Sequence, residues 1–260
     1  MIRALVLALV LATPVAAQET VSAILEPAQQ IDVRVSVAGR IAEIAVIEGA
    51  EVAAGALVLS IDSAVQQARV KLARLAAEAT GPLQRAQTSL AQAGTMKDRI
   101  ARANARGAAQ AWEVTQSEQN VLLAEADLLA TEESRARAVA QLELERATLS
   151  EFSVMAPFDA TVLEIFAEPG ETVDTQTVLI TLGRLDQLVA TAFVPLDWVS
   201  GLIQGDRLNV TLDDDTQREV ALTFIDPRVD PASRTVRIKL QLANADRALR
   251  VGTGLVLRRP

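Results

Sequence analysis

The chain lacks both cysteine and histidine. Without cysteine there is no disulfide, thiolate metal centre, thiol nucleophile or lipid-bearing cysteine. Without histidine there is no imidazole ligand and no histidine-dependent triad. Tyrosine is also missing, and aromatics make up 3% of the 260 residues, too few to build base-stacking platforms. Lysine and arginine total 25 against 33 aspartates and glutamates, a net charge of −8. Such an acidic chain is poorly suited to nucleic acid, which is held by a basic footprint. These gaps exclude much enzymology. They leave a chain long enough for one large domain or two small ones with proper cores.

Arg3 precedes an apolar run from Ala4 to Ala12, and Val15-Ala16-Ala17 stands before Gln18. A charged start, a short apolar core and small residues at the exit read as a secretory signal over residues 1–17. The run is shorter than the roughly 20 residues of a spanning helix. The sequence leaves open whether the signal is cleaved or kept as an anchor. The expected location is the bacterial periplasm.

Residues 31 to 61 read as strands. Ile31, Val33, Val35 and Val37 alternate with polar or small residues, the period of a half-buried strand. Gly39, Gly49 and Gly55 mark turns or close backbone approach. The pattern returns 121 positions later: Glu43-Ile44 matches Glu164-Ile165, Gly49 matches Gly170, Val52 matches Val173 and Ile61 matches Leu182. Gly55 faces Gln176 instead. Internal repetition of this kind marks two units that bury one core together.

Residues 63–150 lie between the halves and read as helix, dominated by Ala, Gln, Arg, Leu and Glu. Val114, Val121, Leu128, Leu142 and Leu149 fall on one seven-residue row broken only by Arg135, beside a small row of Ser117, Ala124, Thr131 and Ala138. A large row beside a small one is a coiled-coil seam. In the first arm Val65, Leu72, Ala79, Ala86, Ala93 and Ile100 lie seven apart, with a kink or register shift expected at Gly81-Pro82. The arms leave and return to one β-unit, so they run antiparallel and reverse near Arg106-Gly107. Arms of about 43 residues reach roughly 65 Å, further than a packing element needs.

Residues 186–258 read as a small barrel or sandwich, with alternation in Leu208-Val210-Leu212, Val220-Leu222-Phe224 and Val236-Ile238-Leu240-Leu242. Leu196 to Ile203 fits a short helix stopped by Gly205.

Val37-Ala38-Gly39-Arg40-Ile41 with Glu48-Gly49-Ala50-Glu51-Val52, and Ala156-Pro157-Phe158-Asp159-Ala160 with Pro169-Gly170-Glu171-Thr172-Val173, resemble the two halves of a lipoyl-like barrel-sandwich hybrid. Asp226-Pro227-Arg228-Val229-Asp230-Pro231-Ala232-Ser233-Arg234-Thr235, preceded by Phe193-Val194-Pro195, resembles an adaptor β-barrel with its Ser-Arg-Thr segment. In this order the pieces resemble the periplasmic adaptor subunits, or membrane fusion proteins, of tripartite efflux pumps, most closely the resistance-nodulation-division type. The resemblance implies an elongated α+β fold: a lipoyl-like barrel-sandwich hybrid split by a long antiparallel α-helical hairpin, then a small β-barrel. The domains are expected at 18–62 and 151–183 for the two lipoyl-like halves, 63–150 for the hairpin and 184–260 for the barrel. A membrane-proximal domain is expected to be absent or reduced.

The resemblance also implies a non-catalytic link between an inner-membrane efflux transporter and an outer-membrane channel, working as a homo-oligomer with no cofactor and no metal. Family hairpin tips often carry Arg, then Leu four residues on, then Ser seven further. Here Arg99 fits the first position, while Ala103 and Gln110 occupy the others. With Arg102 and Arg106 these are the candidate channel-docking residues, and Lys97 adds to the basic cluster. Arg228, Asp230 and Arg234 are candidates for a pump contact or for an ion-pair cluster that orders the barrel loop. Gly39, Gly49, Gly55 and Gly170 are assigned structural roles.

Rival readings are an ATP-driven or two-component exporter's adaptor, or a coiled-coil scaffold without a channel partner. A lipoyl or biotin carrier needs a modified lysine at a hairpin tip, and the only lysines, Lys71, Lys97 and Lys239, lie elsewhere. Asp213-Asp214-Asp215 lacks the alternating ligands of a calcium loop and is expected to be a solvated turn.

Overall fold

The computed structural model describes residues 20–259, so the expected signal over 1–17 lies outside the described residues. Two long strands organise both β-units: β1 (Thr20–Val33) and β8 (Ile180–Pro195). They pair antiparallel from Leu25 with Ala190 to Val33 with Ile180, with a register shift between Pro27 and Gln29. The shift falls where the chain passes from one unit to the other. Bulges of this kind bend a strand and increase its local twist.

The ends of β1 and β8 beyond that shift close a six-stranded barrel with β9 (Arg207–Leu212), β10 (Gln217–Val229), β11 (Thr235–Ala243) and β12 (Gly254–Arg258), in the order β1-β12-β9-β10-β11-β8. Closure removes the unpaired edges that an open sheet exposes. The alternation read from sequence is the inside–outside pattern: Val236, Ile238, Leu240 and Leu242 are buried, and Lys239 between them is exposed. After β8, the one-turn helix α4 (Leu196–Val199) carries Trp198, 3% exposed, into the barrel core. That helix is shorter than the expected Leu196–Ile203 span. After Val199 the chain turns, and Gly205, at φ +102°, accommodates a conformation that L-residues rarely adopt.

The other unit is a sandwich. One sheet contains β5 (Ser153–Met155), β4 (Leu57–Ile61), β2 (Gly39–Ile44) and β7 (Thr172–Val173) in that order. The facing strands are β6 (Ala160–Ile165) and β3 (Glu51–Val52), continuing from β8. Their shared core includes Ile41, Val58, Leu59, Ile61, Val162, Leu179, Ile180 and Leu182. The repeat is visible strand by strand: β2 is matched by β6 and β3 by β7. The pairing is crossed, Gly39 with Val173 and Val52 with Ala160, so neither half can complete its sheets alone. Gly39 is used for space, because a Cβ there would lie 2.6 Å from Ile61 Cγ2.

The hairpin rises from this sandwich as three helices, which we label α1 (Ala64–Ala77), α2 (Gly81–Asn104) and α3 (Ala111–Ser150); the barrel's short helix is α4. The 40 residues of α3 make a rod about 60 Å long. Its expected seam holds: Ser117, Ala124 and Leu142 are buried, Val114, Val121, Leu128, Thr131, Ala138 and Leu149 are half-buried, and Arg135 is exposed. In the first arm the row holds only beyond the break, at Ala86, Ala93 and Ile100. Before it, Val65 and Leu72 are each 70% exposed, and Ala79 is exposed too. The residues of α1 that bury themselves are Gln66, Val70, Ala73 and Ala77. The non-helical link Glu78–Thr80 moves the seam two positions, from Ala79 to Ala77. Gln66 survives in this seam because its amide donates to the Glu145 carbonyl at 3.0 Å and to the Glu145 carboxylate at 2.8 Å, and a buried amide without partners would be costly.

Candidate functional site

The hairpin tip is a rigid turn. Ala108 N–H donates to the Ala103 carbonyl and Gly107 N–H to the Asn104 carbonyl, both at 2.9 Å, with Gly107 at φ +71°. This is a Schellman ending for α2, in which a glycine in the left-handed region lets two terminal carbonyls find donors. On the other side, the Glu113 carboxylate accepts the Gln110 N–H at 2.7 Å, opening α3. The Gln110 amide oxygen accepts the indole N–H of Trp112 at 2.8 Å.

The expected docking residues therefore have distinct placements. Arg99, Arg102 and Arg106 are exposed, as is Lys97. None of the four enters an ion pair among the described residues. Arg102 lies in the last turn of α2, where a cation also favours the helix dipole. Ala103 is half-buried against the hairpin and supplies the Schellman acceptor. Gln110 is the residue that starts α3 and steadies an indole. Sequence reading passed over Trp112, which is 64% exposed in the first turn of α3. The available signal was its position five residues past Gly107, outside the seam row that begins at Val114.

At the barrel, Arg228 pairs with Asp226, through Nε to Oδ1 at 3.0 Å and Nη2 to Oδ2 at 3.1 Å, where sequence reading had grouped it with Asp230 and Arg234. Arg237 joins from β11, its Nη2 donating to the same carboxylate at 2.9 Å. Its guanidinium also stands over the Phe224 ring, 5.6 Å from the centroid. Donation by the Arg228 side chain, then by its backbone N–H, with both guanidinium charges nearby, holds the Asp226 carboxyl down at about 2. Asp230 orders the loop differently. Its carboxylate accepts the N–H groups of Ala232 at 2.8 Å and Ser233 at 3.3 Å. Arg234 sits at φ +55° with its N–H on the Asp230 carbonyl. Phe193, 57% exposed, borders the cluster.

A cleft of about 650 Å³ separates sandwich from barrel, lined by Asp159, Thr161, Arg184 and Asp186 among others. Across it Arg247, in the loop before β12, pairs with Glu51 of β3. Arg184 lies over the Phe158 ring, 5.2 Å from its centroid.

The acidic run Asp213-Asp214-Asp215 is a strand-joining turn. Asp213 accepts the Gly254 N–H at 2.6 Å and Asp214 the Thr216 N–H at 2.9 Å. Among the described residues, no group of three or more acidic side chains is arranged to hold a metal ion, and no helix is long and apolar enough to cross a membrane.

A split sandwich, a protruding hairpin and a strand-sharing barrel define an adaptor-type architecture. The barrel-sandwich hybrid domain of the RND membrane fusion proteins matches residues 29–182, and the CusB-like β-barrel domain matches residues 191–258. The chain belongs to the RND membrane fusion protein family. Nodulation protein NolF of Rhizobium meliloti (strain 1021) is 28% identical over 230 residues, 88% of this chain; the match spans 59% of NolF. Among solved structures, MacA from Actinobacillus actinomycetemcomitans superposes with a TM-score of 0.81 at 18% identity, over 93% of this chain and 78% of MacA. The membrane fusion protein Spr0693 from Streptococcus pneumoniae R6 gives a TM-score of 0.64 at 17% identity, over 92% and 98% of the two chains. ZneB from Cupriavidus metallidurans gives 0.52 at 22% identity, over 93% and 70%. At these identities the structural likeness establishes the fold.

Proposed function

We propose that this protein is a non-catalytic periplasmic adaptor that joins an inner-membrane efflux transporter to an outer-membrane channel for the export of small molecules. The observation that carries the reading is the hairpin. A rod about 60 Å long built on one end of a β-scaffold ends in a braced, basic turn whose four cations have no ion pair among the described residues. Such charges steer association with an acidic partner more than they add affinity. The barrel loop at Arg228, Asp230 and Arg234, beside exposed Phe193, is the proposed pump-facing surface. Several copies are proposed to assemble side by side. Val65, Leu72 and Leu75 on α1 and Leu122 and Leu129 on α3 lie exposed on the outer faces of the hairpin, a pattern that fits neighbouring rods.

The absence of cysteine makes the test direct. A single cysteine is placed at Ala105, at the tip, and crosslinked in intact cells. Capture of an outer-membrane channel is the expected result. Capture of other copies of the same chain alone, with the protein expressed and exported, overturns the reading in favour of a scaffold.

A further inference from the structure

Trp112 is the largest apolar side chain that the hairpin leaves in water, and its exposure follows from helix phase. The seam of α3 begins at Val114. A residue two positions earlier points to the far side of the helix, because residues two apart do not share a face. The indole therefore covers no part of the hairpin core. It is nevertheless held: its N–H is bound to Gln110, and the Gln110 backbone is bound by Glu113. A side chain already fixed in place loses less freedom when it is buried by a partner.

Its surroundings narrow the kind of partner. Lys97, Arg99, Arg102 and Arg106 are exposed along the end of α2 and the turn after it, without ion pairs among the described residues. The other side chains of the turn, Asn104, Ala105 and Ala108, are small or polar. A helix that lies on a bilayer needs a whole apolar face, and this tip offers one indole. A pre-oriented tryptophan at a hairpin tip that also carries exposed arginines has the composition of a protein-binding hot spot.

Resting on the adaptor reading above, we propose that Trp112 is the anchor of channel docking: the indole enters an apolar socket on the channel's periplasmic end, whose rim is acidic and faces Arg99, Arg102 and Arg106. In this arrangement Gln110 and Glu113 are positioning residues, and Ala103 serves the turn. The departure from the family's Arg-Leu-Ser pattern then has a physical replacement, since the apolar contact has moved from the end of α2 to the start of α3.

The test uses the full-length chain with the cysteine at Ala105, in three forms: otherwise unchanged, with Trp112→Ala, and with Trp112→Phe. Helix content of each purified protein is followed by circular dichroism. The expected result is at least a tenfold drop in channel crosslinking for Trp112→Ala, partial retention for Trp112→Phe, and unchanged helicity in both. Equal channel capture by Trp112→Ala and its parent overturns the anchor and leaves the adaptor reading standing. Failure of the parent to capture a channel overturns both. Crosslinking to lipid in place of channel overturns the protein socket in favour of a bilayer contact.

Discussion

Gly49 and Gly170 occupy the same place in the two halves of the sandwich. Gly49 N–H donates to the Val162 carbonyl and Gly170 N–H to the Ile41 carbonyl, each at 2.9 Å. Their φ angles are +79° and +90°. The acceptors are themselves equivalent in the repeat, so each half closes its turn on the other. A side chain at positive φ costs roughly 1–2 kcal/mol. Gly49→Ala and Gly170→Ala are each expected to destabilise the sandwich by about that amount, measured by urea unfolding. At Gly170 the new Cβ would also lie 3.3 Å from Arg40 Nη2, and Arg40 Nε is hydrogen-bonded to the Gly170 carbonyl at 3.1 Å, so the loss for Gly170→Ala is expected at the upper end of that range.

Asp226 gives a pH signature. Its carboxyl is lowered from 3.8 to about 2 by Arg228 and Arg237. A depressed folded-state value contributes stability above the unfolded value, and that contribution is lost as pH falls through the folded one. Asp226→Asn is therefore expected to lower the melting temperature at pH 7. The gap from the parent stays constant down to about pH 4 and closes as the pH approaches 2. Thermal unfolding monitored across pH 2–7 checks this. A gap independent of pH would show that the loss comes from the altered hydrogen bonds and not from the charge.

The corrected seam separates two leucines that look alike in the sequence. Leu142 is 7% exposed and packs with Val70, Ala73 and Ala77, whereas Leu72 is 70% exposed. Leu142→Ala is expected to cost about 2–5 kcal/mol, and Leu72→Ala to stay within about 0.5 kcal/mol. Denaturant unfolding of dilute protein distinguishes them. If copies pack through the outer face as proposed, Leu72→Ala weakens self-association without weakening the fold.

Much of this fold was legible because two periodicities carry it. The 121-residue offset between Gly49 and Gly170 identified strands that pair across the chain, although Glu51 and Val52 make a strand of only two residues. Gly107 marked the hairpin reversal, and the Schellman geometry explains why a glycine stands there. The unmatched pair Gly55 and Gln176 also has a physical reason. The first half turns with Gly55 at φ +79°, while the second turns on Asp174, whose carboxylate accepts the N–H groups of Gln176 and Thr177 at 2.9 Å each. Two features resisted reading. Gly81-Pro82 marked a break in the first arm, but not that the seam before it runs through Gln66, Val70, Ala73 and Ala77 in place of Val65, Leu72 and Ala79. The Arg228–Asp226 pair joins residues two apart on one strand face, and the Asp226 carboxylate also takes the Arg228 backbone N–H at 3.0 Å, a local contact that competed in the sequence with Asp230 and Arg234 close by.

Arg247 and Glu51 tie barrel to sandwich across the cleft, with side chains 36% and 68% exposed. Exposed pairs contribute little to stability, about 0.2–1 kcal/mol. Arg247→Ala is expected to change unfolding free energy by less than about 1 kcal/mol while widening the range of angles between the two units. Spin-label distances between sandwich and barrel check it. An unchanged distance distribution would assign the rigidity of the junction to β1 and β8 alone.

Those two strands have a mechanical consequence. Hydrogen bonds in an antiparallel pair lie perpendicular to the strands. Because β1 and β8 each run from barrel to sandwich, a pull directed along them is carried by two continuous backbones in parallel. A sideways load instead bends the pair, and the ladder is already irregular at Pro27–Gln29, between the two units. The junction is thus stiff to tension and compliant to bending, like a strap that resists stretching but folds.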